Sequence, residues 1–232
     1  MKQIIVITDG CSNVGISPVH AAAQALERGI AVNVIGVVQD DEIGARGEAE
    51  IHDIAQAGGG LSRVVTARNL AHTMQMMTRQ TVAATIQGVV RKQLQAIMGS
   101  PDGSIAALPP DQRAQVVRTV DDLTETAPLK VALLIDTSAS MKPKIEAVRE
   151  AAYDLMLSLR ARQGKSELAV LHFPGNNSNA VQLEVAWTSD LAKLDKIFYK
   201  LNMKGTTPTG PALLETIGYM DGETALWGDY VV

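Results

Sequence analysis

The hydrophobic positions of the chain fall into short unbroken runs separated by longer amphipathic segments. Ile4–Thr8, "IAVNVIGVV" (30–38), "LKVALLID" (129–136) and "ELAVLHF" (167–173) are continuous and rich in β-branched residues, the pattern of strands buried on both faces. "SRVVTA" adds a shorter strand, and "AVQLEVAW" (180–187) alternates after the turn cluster "PGNNSN", as an antiparallel edge strand does. Helices are predicted between them. "SPVHAAAQALERG" carries Ser17 as candidate N-cap, Pro18 at the first helical position and Gly29 as the stop. "GEAEIHDIAQAGGG" gives a helix ended by Gly58, residues 143–164 a helix between a proline and a glycine, and 189–201 a helix with Ser189 as candidate N-cap. "KGTTPTGPALLETIGYM" (204–220) is a Gly/Thr loop running into a helix. Residues 69–98 repeat Leu70, Met74, Met77, Ile86, Val89, Val90, Leu94 and Ile97 near helical spacing, followed by a Pro/Gly/Asp-rich connector and a helix over 111–123. Strand–helix alternation of this kind argues an α/β three-layer sandwich around a mostly parallel sheet, with one antiparallel edge strand.

Composition narrows the class. The 232 residues suffice for one large α/β domain or two small ones, and 46 % of them are hydrophobic. Only 3 % are aromatic, so the core must be built from Val, Ile, Leu, Ala and Met. A net charge of −4 gives no basic footprint for nucleic acid or an acidic membrane surface. Cys11 is the single cysteine, which excludes an intrachain disulfide. The apolar stretch after Met1-Lys2 is too short for a signal peptide and is interrupted by Asp9. No apolar run approaches the ~20 residues of a membrane-spanning helix, and the expectation is a cytoplasmic protein.

Two strands end in an aspartate. In "LLIDTSASMK" (133–142), Asp136, Ser138 and Ser140 share a side if the chain stays extended past the strand end. One carboxylate and two hydroxyls converging on a point suit a hard cation such as Mg²⁺, which takes oxygen ligands and keeps several waters. The plainer reading is a strand-to-helix turn with a capping serine. Two further segments bear on the choice: "ITDG" (7–10) ends a strand at Asp9, and "GTTPTGPAL" (205–213) puts Thr207 in a loop before a helix.

Together, Asp136-x-Ser138-x-Ser140, Thr207 before Pro208, and Asp9 before Gly10 resemble the metal-ion-dependent adhesion site of von Willebrand factor A domains. "TPTGPAL" and "ITDGCSNVG…AAAQALERGIAVNVIGVV" resemble signatures of the same family. The family places DxSxS first, the threonine next and TDG last, whereas here TDG comes first. Reading 129–220 and then 2–75 restores the family order. The resemblance therefore implies a single circularly permuted, Rossmann-like domain over 1–232. Residues 1–75 and 129–232 would be its exchanged halves and 76–128 a helical bridge, with the chain opening at a core strand and Val231-Val232 near Met1. The sequence is also similar to permuted A-domain proteins of spore-forming bacteria, of the YabS type. The resemblance implies Mg²⁺ (or Mn²⁺) held by Asp136, Ser138, Ser140, Thr207 and Asp9, directly or through water. An open coordination position would then accept a carboxylate or phosphate of a protein partner. No catalysis and no nucleic-acid or membrane partner are expected. Permutation within one chain needs only a connector of this length, whereas swapping halves between chains needs a dimer, so a monomer is expected.

Other signals point elsewhere or nowhere. Ser138 lacks a G-x-S-x-G elbow, and no sequence context marks His20, His52, His72 or His172 as a base, which argues against a hydrolase. An open Mg²⁺ site that activates water, as in a phosphatase, is the enzymatic alternative, and a scaffold with a vestigial site is another. "RQGKS" (162–166) has Leu159 where a phosphate-binding loop needs glycine and ends a helix instead of opening one. Cys11 reads as a small loop residue, His172 and the Met74/Met77 pair as core, and Asn176, Asn177 and Asn179 as turn residues.

Overall fold

Four runs of buried aliphatic residues become the central strands of one sheet, because each must cover both its faces, and two more exposed strands flank them. The computed structural model describes residues 1–38, 44–98, 105–176, 179–194 and 205–222. In chain order the elements are β1 (Lys2–Thr8), α1 (Pro18–Glu27), β2 (Ile30–Val38), α2 (Ala45–Ala57), β3 (Gly59–Thr66), α3 (Leu70–Met98), α4 (Pro110–Thr126), β4 (Leu129–Asp136), α5 (Ile145–Ala161), β5 (Ser166–Phe173), β6 (Gln182–Thr188) and α6 (Thr209–Asp221). The sheet order is β3-β2-β1-β4-β5-β6. All neighbours are parallel except β5 and β6, which run antiparallel through an irregular register. The architecture is a three-layer α/β sandwich with a mostly parallel six-stranded sheet and one antiparallel edge pair.

Alternation along the strands divides the core. Ile5, Ile7, Leu133, Ile135 and Val170 face α3 and α5, meeting Met74, Met77, Val148 and Leu155. Ile4, Val6, Leu134, Leu171 and Phe173 face α1, α2 and α6, meeting Ala21, Ala25, Ile54, Leu213 and Ile217. With few aromatics available, one ring pair braces the edge: Trp187 stacks on Tyr219 with centroids 5.6 Å apart.

One buried polar cluster breaks the apolar pattern. The side chain of Asn33, fully buried in β2, accepts hydrogen bonds from the Thr81 hydroxyl (2.8 Å) and the Leu61 N–H (2.9 Å). Gln3 donates to the Thr78 carbonyl at 3.3 Å. These bonds fasten α3 to β1, β2 and β3. Burial along α3 continues to Ile86, while Val89 is exposed. Beyond the sheet the helix packs with α4, whose Val116 and Val120 join the same core.

The structure departs from the sequence expectations at helix ends. Pro143 lies in a 3-10 turn, Ala139–Lys144, so α5 begins two residues later than the proline suggests. Ser17 caps α1 through its carbonyl, which accepts from Ala21 N–H, and not through its hydroxyl. Gly29 does stop the helix, at φ +70°. Asp190, not Ser189, caps the short 3-10 turn Leu191–Lys193, its carboxylate accepting from Ala192 N–H at 3.1 Å. The rest of the helix expected to reach residue 201, Asn177, and Val231-Val232 lie outside the described residues.

The Asn33 cluster yields a stability prediction. Asn33→Ala leaves the Thr81 hydroxyl and the Leu61 N–H without their buried acceptor, and the expected loss is about 1–3 kcal/mol. Urea denaturation of both proteins measures it. An unchanged midpoint would show that α3 is held by its apolar face alone.

Candidate metal centre

The two central strands set the place where side chains of both halves meet. From β1 the chain winds outward to β2 and β3; from β4 it winds the opposite way to β5 and β6. Between β1 and β4 the sheet therefore has its topological switch point, and α/β sheets open a crevice there, beyond the carboxyl ends of the strands. The parallel register pairs Ile7 with Ile135, which brings Thr8 and Asp9 alongside Asp136.

Asp136 is fully buried. Its carboxylate accepts from the Thr8 hydroxyl at 2.7 Å and from the Ser138 N–H at 2.8 Å. Burial pushes its carboxyl above the usual carboxylate range, the negative Asp9 adds to the rise, and the bonds from Ser138 and Thr8 oppose it. Ser138 stays extended (φ −60°, ψ 162°), but the chain then turns, so Ser140 sits inside the 3-10 turn and not on an extended segment. The turn still brings the two hydroxyls within 3.1 Å of each other. Ser140 in turn donates to Asp9 Oδ1 at 2.8 Å. Ser138, Ser140 and Asp9 thus form a continuous hydrogen-bonded chain across the switch point.

Thr207 reaches the same rim by a backbone clamp. Its N–H donates to Asn13 Oδ1 at 2.8 Å, and its carbonyl accepts from the Asn13 N–H (3.2 Å) and the Ser12 hydroxyl (3.3 Å). The loop after Asp9 therefore carries Thr207. Its hydroxyl makes no hydrogen bond among the described residues and its side chain is mostly buried. Close contact secures the arrangement: a Cβ on Gly210, in the first turn of α6, would lie 2.1 Å from the Ile16 carbonyl oxygen.

Sequence reasoning missed Lys144. Its ammonium lies 2.5 Å from Asp9 Oδ2, with the Lys144 side chain 10 % and the Asp9 side chain 3 % exposed. A signal existed. Lys144 stands at the N-terminus of α5, the end where the helix macrodipole disfavours a cation, so a lysine buried there calls for a carboxylate. Thr8 and Asn13 were also missed, because their roles depend on strand register and loop contact.

The remaining candidates lie apart from this chemistry. His20, His52 and His72 are exposed. His172 is buried in β5, with Nδ1 2.9 Å from Glu184 Oε1 but outside hydrogen-bond geometry. None of the four bonds to Ser138. Met74 and Met77 are core residues and Met76 packs beside them. Cys11 is half-buried in the loop after Asp9. "RQGKS" closes α5: the Arg162 guanidinium donates to the carbonyls of Thr124 and Ala127 and to the Ser166 hydroxyl. Among the described residues, no group of three or more His, Cys, Asp and Glu side chains converges. No helix among them is long and apolar enough to cross a membrane.

Comparison with known proteins gives two strong likenesses. The uncharacterized protein YabS of Bacillus subtilis is 45 % identical over 215 residues, which span 93 % of this chain and 87 % of YabS. The crystal structure of an uncharacterized protein from Alicyclobacillus acidocaldarius superposes with a TM-score of 0.87 at 43 % identity, covering 96 % of this chain and 94 % of that one. Proximal thread matrix protein 1 of the mussel byssus, in a form with a zinc-occupied MIDAS motif, superposes at a TM-score of only 0.31 and 15 % identity. The match covers 100 % of this chain and 48 % of that protein's, a likeness too slight to carry an argument. No protein-family model matches the chain.

Gly210 tests the packing that carries Thr207. In Gly210→Ala the new methyl group meets a backbone carbonyl, so α6 and the 11–17 loop must separate, at an expected cost of about 1–3 kcal/mol. Thermal unfolding measures the loss; an unchanged midpoint would contradict the close approach.

Proposed function

The chain belongs to the family of the Bacillus subtilis protein YabS, and from that premise we propose a metal-dependent protein-interaction module with the site of a von Willebrand factor A domain. In this reading residues 1–75 and 129–232 are the exchanged halves of one circularly permuted domain, and 76–128 is the bridge. Mg²⁺ (or Mn²⁺) is held by Asp136, Ser138, Ser140, Thr207 and Asp9, and the ligand is a carboxylate or phosphate of a protein partner.

The observation that carries this reading is the chain of bonds from Ser138 through Ser140 to Asp9, beside the buried Asp136. It joins residues from both halves of the sequence at the switch point. The donor set fits a hard cation: two carboxylates and three hydroxyls, all oxygen. Asp136 also fits, since among the described residues its hydrogen bonds come from neutral donors only, and its buried charge has no cationic partner. A bound Mg²⁺ would supply an open coordination position for an anionic oxygen. The residues do the positioning. Thr8 and the Ser138 N–H aim the Asp136 carboxylate, Ser140 aims Asp9, and the Asn13 clamp holds the Thr207 loop.

A contact between β1 and the end of α6 supports permutation. Asp221, at the end of α6, pairs with Lys2 at the start of β1 at 2.7 Å. The proposed cut therefore separates two segments that still touch. Exchange of halves also preserves the sheet: β1-β2-β3 and β4-β5-β6 each wind outward from the centre, so swapping their order along the chain reproduces the same strand sequence.

Calorimetric titration with MgCl₂ tests the metal. The native chain is expected to bind one equivalent, and Asp136→Ala and Asp9→Ala to lose about tenfold or more in affinity, the scale of 1.4 kcal/mol. Equal affinity in all three would exclude this site. Affinity capture from native lysate in Mg²⁺ and in chelator tests the interaction. A partner retained only with Mg²⁺ and lost in Asp136→Ala supports the reading, and retention unaffected by chelator contradicts it.

A further inference from the structure

Lys144 occupies an unusual place. It ends the same 3-10 turn that carries Ser140, and its ammonium lies 2.5 Å from Asp9 Oδ2 while Ser140 holds Oδ1. Both oxygens of Asp9 are therefore engaged within the protein. Nearly complete burial of the pair removes the solvent screening that makes surface ion pairs weak. The two aspartates are treated unequally: among the described residues Asp9 has an internal counter-charge, and Asp136 does not.

Resting on the metal reading above, we propose that Lys144 is the resident counter-cation of the site, lowering its affinity for a divalent cation and raising that of the loaded site for an anion. The charge balance gives both effects. Asp9, Asp136 and Lys144 leave the empty cluster at −1. With a divalent cation seated there the sum is +1, which favours a carboxylate or phosphate. Without Lys144 the corresponding values are −2 and 0, a better trap for the cation and a poorer one for the anion. Lys144 is thus a positioning and specificity residue, not a ligand. It holds Asp9 in the metal-free protein and gives Oδ2 up when a divalent cation enters.

Opposite changes in two affinities test this, a signature that mere structural support would not produce. MgCl₂ binding is measured by calorimetry. Acetate binding is followed on Mn²⁺-loaded protein through the relaxation of water protons. Lys144→Gln is expected to bind Mg²⁺ at least about tenfold tighter and acetate at least about tenfold more weakly, the size of effect a unit charge exerts at close range even when water screens it strongly. Lys144→Arg keeps the charge and is expected to stay within about threefold of the native protein in both. A Lys144→Gln protein with unchanged or weaker Mg²⁺ binding, or with undiminished acetate binding, overturns the proposal while leaving the metal site intact. Native protein that binds neither Mg²⁺ nor Mn²⁺ overturns the metal reading and this proposal with it. If Lys144→Gln does not fold, the native structure with Mn²⁺ bound decides. Lys144 Nζ beyond hydrogen-bond distance of Asp9 Oδ2 supports the proposal, and the pair kept at its metal-free length overturns it.

Discussion

Parallel pairing of β1 with β4 is the constraint on which the rest of the structure depends. It places the ends of two strands, far apart in sequence, side by side at one rim of the sheet. Thr8 then bonds to Asp136, and Asp9 meets Ser140 and Lys144. Ile5, Ile7, Leu133 and Ile135 hold the pair from one face, and Ile4, Val6 and Leu134 from the other. A one-residue slip would turn each of these side chains to the wrong face and carry Asp9 out of reach. The polar rim is therefore secured by the apolar core beneath it.

That rim handles two negative charges in different ways. Asp136 is fully buried, receives hydrogen bonds without a cation among the described residues, and has its carboxyl raised by burial. Asp9 is offset by an ammonium from the following helix start. A fully compensated cluster would have no reason to take up a cation, and one without compensation would carry a heavy cost of buried charge. The observed balance leaves one carboxylate neutralised and one not. It is this imbalance that makes the proposed metal reading physically economical.

Much of the fold was legible in the sequence because buried parallel strands are long apolar runs and the helices between them are amphipathic. β2 and β4 have the bounds that their hydrophobic runs predict. The alternation over 180–187 marked the antiparallel edge, which the structure forms at Gln182–Thr188. Legibility failed where the outcome depends on tertiary contact. Pro143 reads as a helix start, yet the chain makes a 3-10 turn there. That turn, and not an extended segment, joins Ser138 to Ser140. Ser17 and Ser189 carry capping chemistry that their local backbone does not use. Ser138, Ser140 and Asp9 join in one run of hydrogen bonds beside Asp136, and Thr207 is clamped to the loop after Asp9, but Lys144 did not stand out, because its meaning depends on an aspartate delivered by another strand. Asn33 interrupts an apolar strand for a similar reason: its partners come from α3 and β3.

The central claim is that one divalent cation sits between the two sequence halves. Anomalous diffraction from crystals soaked in Mn²⁺ tests it most directly. The account predicts a single strong peak at the carboxyl-end rim, flanked by Asp136 and Asp9 with the hydroxyls of Ser138, Ser140 and Thr207 turned toward it. A peak elsewhere, or none at saturating Mn²⁺, would contradict it.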